Sequence, residues 1–390
     1  MLGYLLARAG LSVTVLEKHL DFFRDFRGDT IHPSTITVLG ELGLRGKFLS
    51  LPLSHVSTMD VVVDRHRMTL VDFGTLPAPD NFLVFAPQWD FLNFLAEGGR
   101  RFAGFDLRMG TEAEELLTEG DSVTGIRGTG PDGPVEIRAT LTVAADGRDS
   151  RIRDAAGLTP TELGVPIDVL WFALPKPSPA PPVTLGYLDA SGMVLTLDRG
   201  DHYQGGFVIA KGGLEALKAH GLQALRTHLG AIAPPIATVV DALTSWDQVK
   251  LLSVQLNRLE QWHRPGLICI GDAAHAMSPV GGVGVNYALQ DAVALANEIA
   301  EPLRRGEAPD AVLEAVEARR TPPVVTMQRI QRFAHKRIAQ PSRARKPAIP
   351  APARIAIAAL LPLVRRVTAR VIGRGFLPEH VASAAEAPQR

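Results

Sequence analysis

Apolar residues at the start of the chain recur with the spacing of one helix face. Four of them share this spacing: Leu2, Leu5, Leu6 and Ala9. Gly10 follows in a position that ends helices, and the run from Ser12 to Leu16 then alternates in the manner of a strand before Glu17. The order of helix, tight turn, strand and acidic residue predicts the second half of a βαβ unit.

The position of Glu17 indicates a role in nucleotide binding. In a dinucleotide-binding βαβ unit, an acidic residue lies about 20 residues beyond a Gly-x-Gly-x-x-Gly fingerprint and accepts hydrogen bonds from a ribose. Counting back from Glu17 places that fingerprint before Met1. We therefore expect Glu17 to bind a cofactor. We also expect the functional protein to start upstream, with about 15 to 20 further residues that hold an apolar strand and the glycine loop.

Helical and strand patterns alternate through the next part of the chain. Helical periodicity covers Pro33 to Leu49 and Trp89 to Phe102. Strand patterns predict a hairpin, a three-stranded meander and one apolar strand: Met59 to Val63 with Met68 to Phe73, then Glu114 to Thr118, Ser122 to Gly128 and Val135 to Ala139, then Leu141 to Ala144. The apolar strand ends in Ala145-Asp146-Gly147. Together these elements are typical of a nucleotide-binding α/β domain.

From Ile167 the pattern changes to strands with little helix between them. Strand patterns recur in four segments: Asp168 to Leu174, Met193 to Leu197, Tyr203 to Ile209 and Val249 to Val254. Helical stretches at Leu214 to Leu229 and Ile236 to Leu243 interrupt them. This pattern predicts a second, antiparallel domain inserted into the first.

The chain then returns to the first domain. Leu267 to Ile270 is a fully apolar strand, and a long helix is predicted from Gly284 to Arg304. Helical pattern continues through Ala311 to Arg319 and restarts after Pro322-Pro323. We therefore predict a Rossmann-like α/β fold, truncated at its N-terminus, with an inserted antiparallel sheet. The predicted division is a first part over 1–165, the antiparallel domain over 166–257, a second part over 258–340, and a Pro/Arg-rich linker with a C-terminal helix over 341–390.

Composition narrows the function classes. The 390 residues carry 41 Lys and Arg against 41 Asp and Glu, which leaves no cationic excess for a nucleic acid. Cys269 is the single cysteine, so neither an internal disulfide nor a cysteine-based zinc site is expected. We predict no metal site and a reducing, cytoplasmic location.

The C-terminal sequence leaves two interpretations open. Its longest apolar run, Ile355 to Val364, has ten residues and is too short to cross a bilayer. The stretch from Arg354 to Arg374 mixes aliphatic residues with arginines, a composition suited to weak contact with an anionic membrane surface. We prefer the alternative that this helix docks on its own protein.

The segment from Gly271 to Asn286 is the most informative in the sequence. Asp272 follows an apolar strand, at the edge where open α/β sheets hold ligands, and its carboxylate can accept hydrogen bonds from a polyol. The glycines that follow allow close backbone approach, and the helix start supplies unpaired N–H groups and a partial positive charge. Such a helix end stabilises a group that becomes anionic during a reaction.

At this segment the sequence resembles the class A flavin-dependent monooxygenases, the family organised like para-hydroxybenzoate hydroxylase. The resemblance implies that Gly271-Asp272 binds the ribityl chain of FAD. It also implies that the loop into the long helix wraps the isoalloxazine ring, through Pro279, Gly281, Gly282, Gly284, Val285 and Asn286.

Three further segments resemble motifs of the same family. Asp146-Gly147, followed by Ser150 and Arg151, is similar to a motif implicated in FAD and NADPH contacts, although Asp-Gly after a strand is also a common turn. Arg27 lies in a stretch similar to one that brings an arginine to the FAD pyrophosphate, and the alternative is a solvated loop residue. Gln88 is placed where the family often has a glutamine against the flavin.

The resemblance implies a monooxygenase that uses FAD, NAD(P)H and O2. It would hydroxylate or epoxidise a small, aromatic or polycyclic substrate through a flavin hydroperoxide. No catalytic side chain can be named from the sequence, and His275 is expected to be a packed or backbone-bonded histidine rather than a base. Four residues of the inserted domain are on strands that could face the flavin, with core packing as the equal alternative: Asp168, Trp171, Tyr203 and Gln204.

Two other functions remain open at this point. One is a flavin-dependent reductase or dehydrogenase on the same fold, which would insert no oxygen. The other is a non-catalytic relative that binds a ligand or a partner. Oxygen uptake coupled to NAD(P)H oxidation and to a product heavier by one oxygen atom would separate the monooxygenase from the reductase.

Overall fold

The computed structural model describes residues 1–23, 30–180, 186–339 and 351–382. Arg27 therefore lies outside the described residues. The architecture is an α/β fold that carries a large, mainly antiparallel sheet, as the sequence predicts.

The first part of the chain combines short helices with small sheets. The helices are α1 (Leu2–Arg8), α2 (Pro33–Glu41), α3 (Arg45–Leu49), α4 (Gln88–Gly99) and α5 (Arg151–Ala155). The strands are β1 (Val13–Glu17), β2 (Thr30–Ile31), β3 (Ser54–Val56), β4 (Thr58–Val63), β5 (His66–Asp72), β6 (Leu83–Phe85), β7 (Phe105–Met109), β8 (Glu112–Glu119), β9 (Ser122–Gly130), β10 (Gly133–Arg138) and β11 (Thr142–Ala144). The predicted hairpin and meander are confirmed, because β4 pairs with β5 and the antiparallel order β10-β9-β8 forms one sheet.

The middle of the chain forms most of the large sheet. Its elements are β12 (Thr161–Glu162), β13 (Ile167–Pro175), β14 (Gly186–Asp189), β15 (Gly192–Asp198), β16 (His202–Ala210), α6 (Leu214–Ala219), α7 (Leu222–Ile232) and β17 (Lys250–Leu252). The order in this sheet is β17-β13-β16-β15-β14-β4-β5, so the hairpin from the first part of the chain extends it. One of its pairs, β14 with β4, is parallel. The predicted domain boundaries stay a prediction.

The last part of the chain returns to the nucleotide-binding fold. Its elements are β18 (Asn257–Arg258), β19 (His263–Arg264), β20 (Leu267–Cys269), α8 (Gly284–Arg304), α9 (Asp310–Ala339) and α10 (Ala351–Gly373). Apart from the parallel β14–β4 pair of the large sheet, the described ranges hold two separate parallel pairs, β1 with β7 and β11 with β20. The expectation of further residues upstream of Met1 stays a prediction.

Three local predictions are wrong. The helical stretch before Leu49 is interrupted, because Gly43 has a φ of +70° that a regular helix cannot accommodate. The stretch from Ile236 to Leu243 contains short 3₁₀ turns instead of an α-helix. The expected break at Pro322-Pro323 is absent, and α9 runs through both prolines. Buried contacts of Arg320 and Val324 on either side hold this helix in place.

Helix α10 docks on the protein with one side. Ala369 is fully buried, and the Thr368 hydroxyl donates to the Leu70 carbonyl of β5 at 2.7 Å. The opposite side exposes four aliphatic residues: Leu360, Leu363, Val364 and Val367. In the part of the chain described, no helix has the length and apolar character needed to span a membrane. Contact of this helix with a membrane surface stays a prediction.

Candidate FAD site

Two parallel strands bring the Asp-Gly and Gly-Asp motifs to one edge of a sheet. Val143 of β11 lies opposite Ile268 of β20, and the Ile270 N–H donates to the Ala144 carbonyl at 3.0 Å just beyond the pair. Because both strands are followed directly by their acidic motifs, Asp146 and Asp272 emerge at the same carboxyl edge. The sequence places each motif after a strand, and the pairing joins them.

Asp272 lies at this carboxyl edge of the sheet. Its carboxylate accepts a hydrogen bond from Arg148 Nη2 at 3.4 Å, and about a third of its side chain is exposed. Arg153, which is almost fully buried, donates to the carbonyls of Arg148 at 2.9 Å and of Ala273 at 3.5 Å. Arg153 thus holds the two turns together, and its contact with Ala273, 120 residues away, could not be predicted from the local sequence.

Asp146 has a structural role within its own turn. Its carboxylate accepts a short hydrogen bond from the Ser150 hydroxyl and a bond from the Ile152 N–H at 3.3 Å. Gly147 has a φ of +91°, and a Cβ built there would meet no atom within 4 Å. The turn therefore leaves open space at Gly147, while the Asp146 carboxylate is engaged at the start of α5.

The loop between β20 and α8 contains two glycines with a positive φ close to the start of α8. Gly281 and Gly282 have φ values of +84° and +63°, which disfavour other residues. Gly282 approaches β2 closely, since its carbonyl accepts a hydrogen bond from the Thr30 hydroxyl at 3.1 Å. Gly284 then begins α8, and the nearest atom to a Cβ at that position would be Met277 Cβ at 3.6 Å. Pro279 and Val285 are partly exposed on the same loop.

Asn286 fixes the first turn of α8 to β2 and α2. Its Oδ1 accepts hydrogen bonds from the His32 N–H at 3.2 Å and from the Thr35 hydroxyl at 2.6 Å. Its buried Nδ2 has no hydrogen-bond partner in the described part of the chain. An amide donor in that position can serve a ligand that carries an acceptor atom.

His32 is a buried, neutral histidine beside this loop. Its Nδ1 donates to the Ile372 carbonyl at 2.7 Å, and its Nε2 lies 3.2 Å from the Thr30 hydroxyl. Burial lowers the pKa of His32 to about 4, against the opposing effect of the carbonyls of Ile372 and Gly282. No feature of the local sequence distinguishes His32 as part of the site.

A buried network of charged side chains contacts the start of the 271–286 segment. Asp291 of α8 accepts hydrogen bonds from the Gly271 N–H at 3.1 Å and from His275 Nε2 at 2.6 Å through one oxygen. Its other oxygen accepts from Arg320 Nε of α9 at 2.9 Å. Burial raises the pKa of Asp291, but His275 and Arg320 outweigh that effect and hold it below its usual value.

Another buried histidine, His335, contacts the residue directly before the loop that starts at Pro279. His335 Nε2 is 2.6 Å from the Ser278 hydroxyl, directly before Pro279. Gln331, one turn earlier on α9, donates to the carbonyls of Ser278 and Val280, each at 2.9 Å. Burial lowers the pKa of His335, so its ring is neutral. Helix α9 therefore fixes the loop through side chains that lie more than fifty residues away in sequence.

The remaining predicted site residues lie on other elements. Glu17 ends β1, which pairs with β7 instead of with β20, and its carboxylate accepts from the His19 N–H at 3.0 Å. Gln88 is the first residue of α4. Their assignment to the cofactor stays a prediction.

One face of the large sheet is turned toward this part of the molecule. The strand register puts Trp171, Gly206, Leu195 and Val61 on the same face, and the alternation along β4 adds Met59. Met59 packs in one cluster with residues of β5, of the 3₁₀ turn that follows it, of β6 and of α10: Val71, Phe73, Leu76, Leu83 and Ala369. Since β6 also pairs with β2, this face of the sheet looks toward the strand that contacts Gly282.

Trp171 and Gln204 carry polar groups on that mainly apolar face, which they share with Lys250 of the edge strand β17. A Cβ on Gly206 would lie 2.7 Å from the indole ring, so this glycine provides the space in which Trp171 lies. Gln204 Oε1 accepts from Arg199 Nε at 2.9 Å, whereas Gln204 Nε2 and Trp171 Nε1 are buried and have no hydrogen-bond partner among the residues that the structure describes. Two unsatisfied N–H donors on an apolar surface are the features of a ligand-binding face.

The other two candidates of the sheet have different places. Tyr203 lies on the opposite face of the sheet, in one cluster with Phe207 of β16 and with Leu229 of α7. Asp168 accepts hydrogen bonds from Lys211 Nζ at 2.9 Å and from the N–H groups of Gly212 and Val254. The Asp168 carboxylate therefore links β13 to the residues that follow β16 and β17.

The comparison with protein families shows the family to which the chain belongs. A family model described as "FAD binding domain" matches residues 1–331. The chain belongs to the class A FAD-dependent monooxygenases. It is thus an oxidoreductase that uses FAD, and membership in this family favours oxygen insertion over the reductase and binding-protein alternatives.

Three similar proteins illustrate the match. The chain is 34% identical to 6-methylpretetramide 4-monooxygenase of Streptomyces rimosus, over 85% of this chain and 79% of that protein. It is 28% identical to tetracenomycin B2 monooxygenase-dioxygenase of Streptomyces olivaceus, over 82% of this chain but only 57% of that protein. The crystal structure of OxyS, an anhydrotetracycline hydroxylase from Streptomyces rimosus, superposes with a TM-score of 0.73 at 21% identity, covering 95% of this chain and 72% of that one.

The residues present fit such a cofactor. Gly147 borders open space, Gly284 leaves room at the start of α8, and Asn286 Nδ2 is a buried donor without a partner. Asp272 presents a partly exposed carboxylate at the same sheet edge. No grouping of three or more His, Cys, Asp or Glu that could hold a metal ion occurs among the residues described.

Proposed function

We propose that this monooxygenase hydroxylates a fused-ring aromatic compound of the polyketide type, with NAD(P)H as reductant and O2 as oxidant. The observation that carries this proposal is the apolar sheet face that holds Trp171 and the unpartnered amide of Gln204. An extended aromatic ring system supplies the apolar area for such a face, and its phenol or carbonyl oxygens are acceptors for the two N–H groups. The names of the two curated relatives described above are consistent with this substrate class.

The proposed role of the 271–286 segment is to hold FAD. When bound, FAD supplies the electron transfer and the activation of dioxygen. Asp272 would accept hydrogen bonds from ribityl hydroxyls, and the loop from Pro279 to Gly284 would hold the ring. The N–H groups and the dipole at the start of α8 would stabilise the negative charge that the ring gains on reduction.

Three buried histidines surround the proposed site. His32 and His335 are both neutral by burial, and His275 is bonded to Asp291 in the core. Trp171 and Gln204 orient the substrate ring from the sheet side. Glu17, Arg27, Gln88, Asp146 and Gly147 are proposed to complete the FAD contacts, as the family resemblance implies.

The proposal is tested by coupled oxidation with a panel of substrates. The full chain, loaded with FAD, is mixed with NADH or NADPH and with naphthols, hydroxyanthraquinones or single-ring phenols under ¹⁸O2. We expect fused-ring compounds to accelerate NAD(P)H oxidation and to yield a product that carries one ¹⁸O atom. Reductant oxidation without labelled product for every compound would contradict the proposal, as would a preference for single-ring phenols.

A matched pair of variants tests the sheet face. Gln204→Leu keeps the side-chain size but removes the unpartnered donor, so we expect the KM for the fused-ring substrate to rise about tenfold, the effect of one buried hydrogen bond. Gln223→Leu changes an exposed glutamine of α7, outside this face, and is expected to leave KM unchanged. Equal KM values for the two variants would remove Gln204 from the substrate site.

A further inference from the structure

The segment 372–382, which follows the family-matched part of the chain, reaches the FAD site in two places. The family model ends at residue 331, whereas this segment runs from the last turn of α10 to the end of the described chain. It is fastened by two-way hydrogen bonds with Asn297 of α8, which donates to the His380 carbonyl at 2.8 Å and accepts from the Ala382 N–H at 3.0 Å. Glu41 of α2 accepts from the Val381 N–H at 2.9 Å.

The first connection runs from Ile372 to Gly282, in the loop from Pro279 to Gly284 that is proposed to hold the flavin. The Ile372 carbonyl accepts from His32 Nδ1, which leaves Nε2 of the neutral ring as an acceptor. The Thr30 hydroxyl lies 3.2 Å from that Nε2 and 3.1 Å from the Gly282 carbonyl. Thr30 is partly buried, and its one hydroxyl proton can serve only one of these two acceptors at a time. The Thr30 side chain thus lies between His32, which contacts the C-terminal segment, and Gly282.

The second connection runs from Glu379 to the Gly-Asp motif. Glu379 is almost fully buried, its carboxylate lies 3.4 Å from Arg320 Nη1, and Arg319 binds it with two nitrogens at 2.7 to 3.0 Å. Arg320 also donates to one oxygen of Asp291. The other oxygen of Asp291 holds the Gly271 N–H and His275.

Burial makes this second connection sensitive to each charge. Arg320 and Asp291 are both excluded from water, so each needs its full set of partners. If Glu379 loses its charge, Arg320 has Asp291 as its one remaining buried anion. A stronger Arg320–Asp291 attraction then draws the carboxylate away from the Gly271 N–H.

We propose that the segment 372–382, the C-terminal brace, positions both ends of the 271–286 segment for FAD. Its positioning residues are Glu379, acting through Arg320 and Asp291, and Ile372, acting through His32 and Thr30. The inference rests on the proposed placement of FAD at this segment. It implies that residues outside the matched family domain set the affinity for the cofactor.

The test compares two glutamates that hold the same brace. Glu379→Gln removes the charge that faces Arg320, whereas Glu41→Gln alters a contact of the adjacent residues and leaves Arg320 untouched. FAD affinity is measured by flavin fluorescence quenching, at a temperature where both apoproteins are fully folded by circular dichroism. We expect Glu379→Gln to raise the Kd for FAD about tenfold and Glu41→Gln to change it less than twofold.

A second readout separates positioning from general stability. The visible circular dichroism of bound flavin reports its surroundings, and we expect it to change in Glu379→Gln at saturating FAD and to be unchanged in Glu41→Gln. If Glu379→Gln does not fold, Arg320→Lys is used instead, because it keeps the charge but loses the fork that bridges Asp291 and Glu379. Either Glu379→Gln or its replacement must raise the Kd with an altered flavin signal for the proposal to stand.

Asp272→Ala is measured in parallel as a reference. If Asp272→Ala weakens FAD binding while the brace variants do not, the brace proposal is overturned and the placement of FAD stands. If none of the variants weakens FAD binding, the placement of FAD at this segment is itself wrong.

Discussion

His275 Nε2 and Asp291 Oδ2 meet at 2.6 Å in the core, sixteen residues apart in sequence. Both side chains are essentially excluded from solvent, and the Trp262 ring lies 5.0 Å from the imidazole. The sequence predicts a packed histidine here, and the structure adds that its partner is a carboxylate. Because Asp291 also holds the Gly271 N–H, this pair couples the packing of α8 to the position of Asp272.

Asp272→Ala is expected to weaken FAD binding without unfolding the protein. The carboxylate is partly exposed and its contact with Arg148 is long, so its loss costs the apoprotein little. A charge-assisted hydrogen bond to a ribityl hydroxyl is worth about 1.5 to 3 kcal/mol, or roughly ten- to a hundredfold in affinity. Flavin titration measures the change, and a Kd equal to that of the wild type would exclude Asp272 from the site.

Gly282 and Gly284, in the segment proposed to hold the flavin, are expected to respond differently to substitution by alanine. At Gly284 a Cβ would meet Met277 at an ordinary 3.6 Å, so Gly284→Ala should keep the melting temperature of the apoprotein while lowering FAD affinity. At Gly282 the Cβ would lie 2.5 Å from Thr30 Oγ1 with φ at +63°, so Gly282→Ala should lower both. Thermal unfolding of each apoprotein beside its flavin content checks this, and full flavin retention by Gly284→Ala would contradict it.

The neutral state of His32 predicts a loss of stability in mild acid. Its pKa is about 4 in the folded protein, against about 6.5 in the unfolded chain, so the unfolded chain binds more protons between these values. The free energy of unfolding therefore falls as the pH is lowered from 7 to 5, by about 2 kcal/mol from this residue. Urea unfolding at both pH values should show a smaller difference for His32→Gln than for the wild type. An equal difference would exclude His32 as a source of the acid sensitivity.

Cys269 is expected to be inert in the native protein. It is fully buried in β20, and burial raises the pKa of its thiol to about 12. A thiol without thiolate character and without access reacts slowly with disulfide reagents. Ellman's reagent at pH 8 should therefore label no cysteine in the folded chain and one after denaturation in guanidinium chloride. Rapid labelling of the folded chain would contradict this placement of β20.

The elements that carry the FAD motif were predictable because their signals are local. Helix α8 begins at Gly284 and ends at Arg304, as its periodicity predicts, and the apolar run from Leu267 forms β20. Glycines and prolines mark the loop between them. The hairpin over β4 and β5 was predictable for the same reason, since its turn and its alternating strands are adjacent in the chain.

The amino-acid sequence was sufficient to predict most elements and the motif proposed to bind the cofactor, because hydrophobic period, turn residues and motif spacing act over a few neighbouring residues. The three-dimensional fold was needed to show that Trp171 and Gln204 share a face while Tyr203 lies on the other, since a one-residue step reverses the side of a strand. It alone joined Glu379 to Arg320, and Ile372 to His32. The physical reason is that such partners are selected by packing and charge between segments far apart in sequence, which no local pattern encodes.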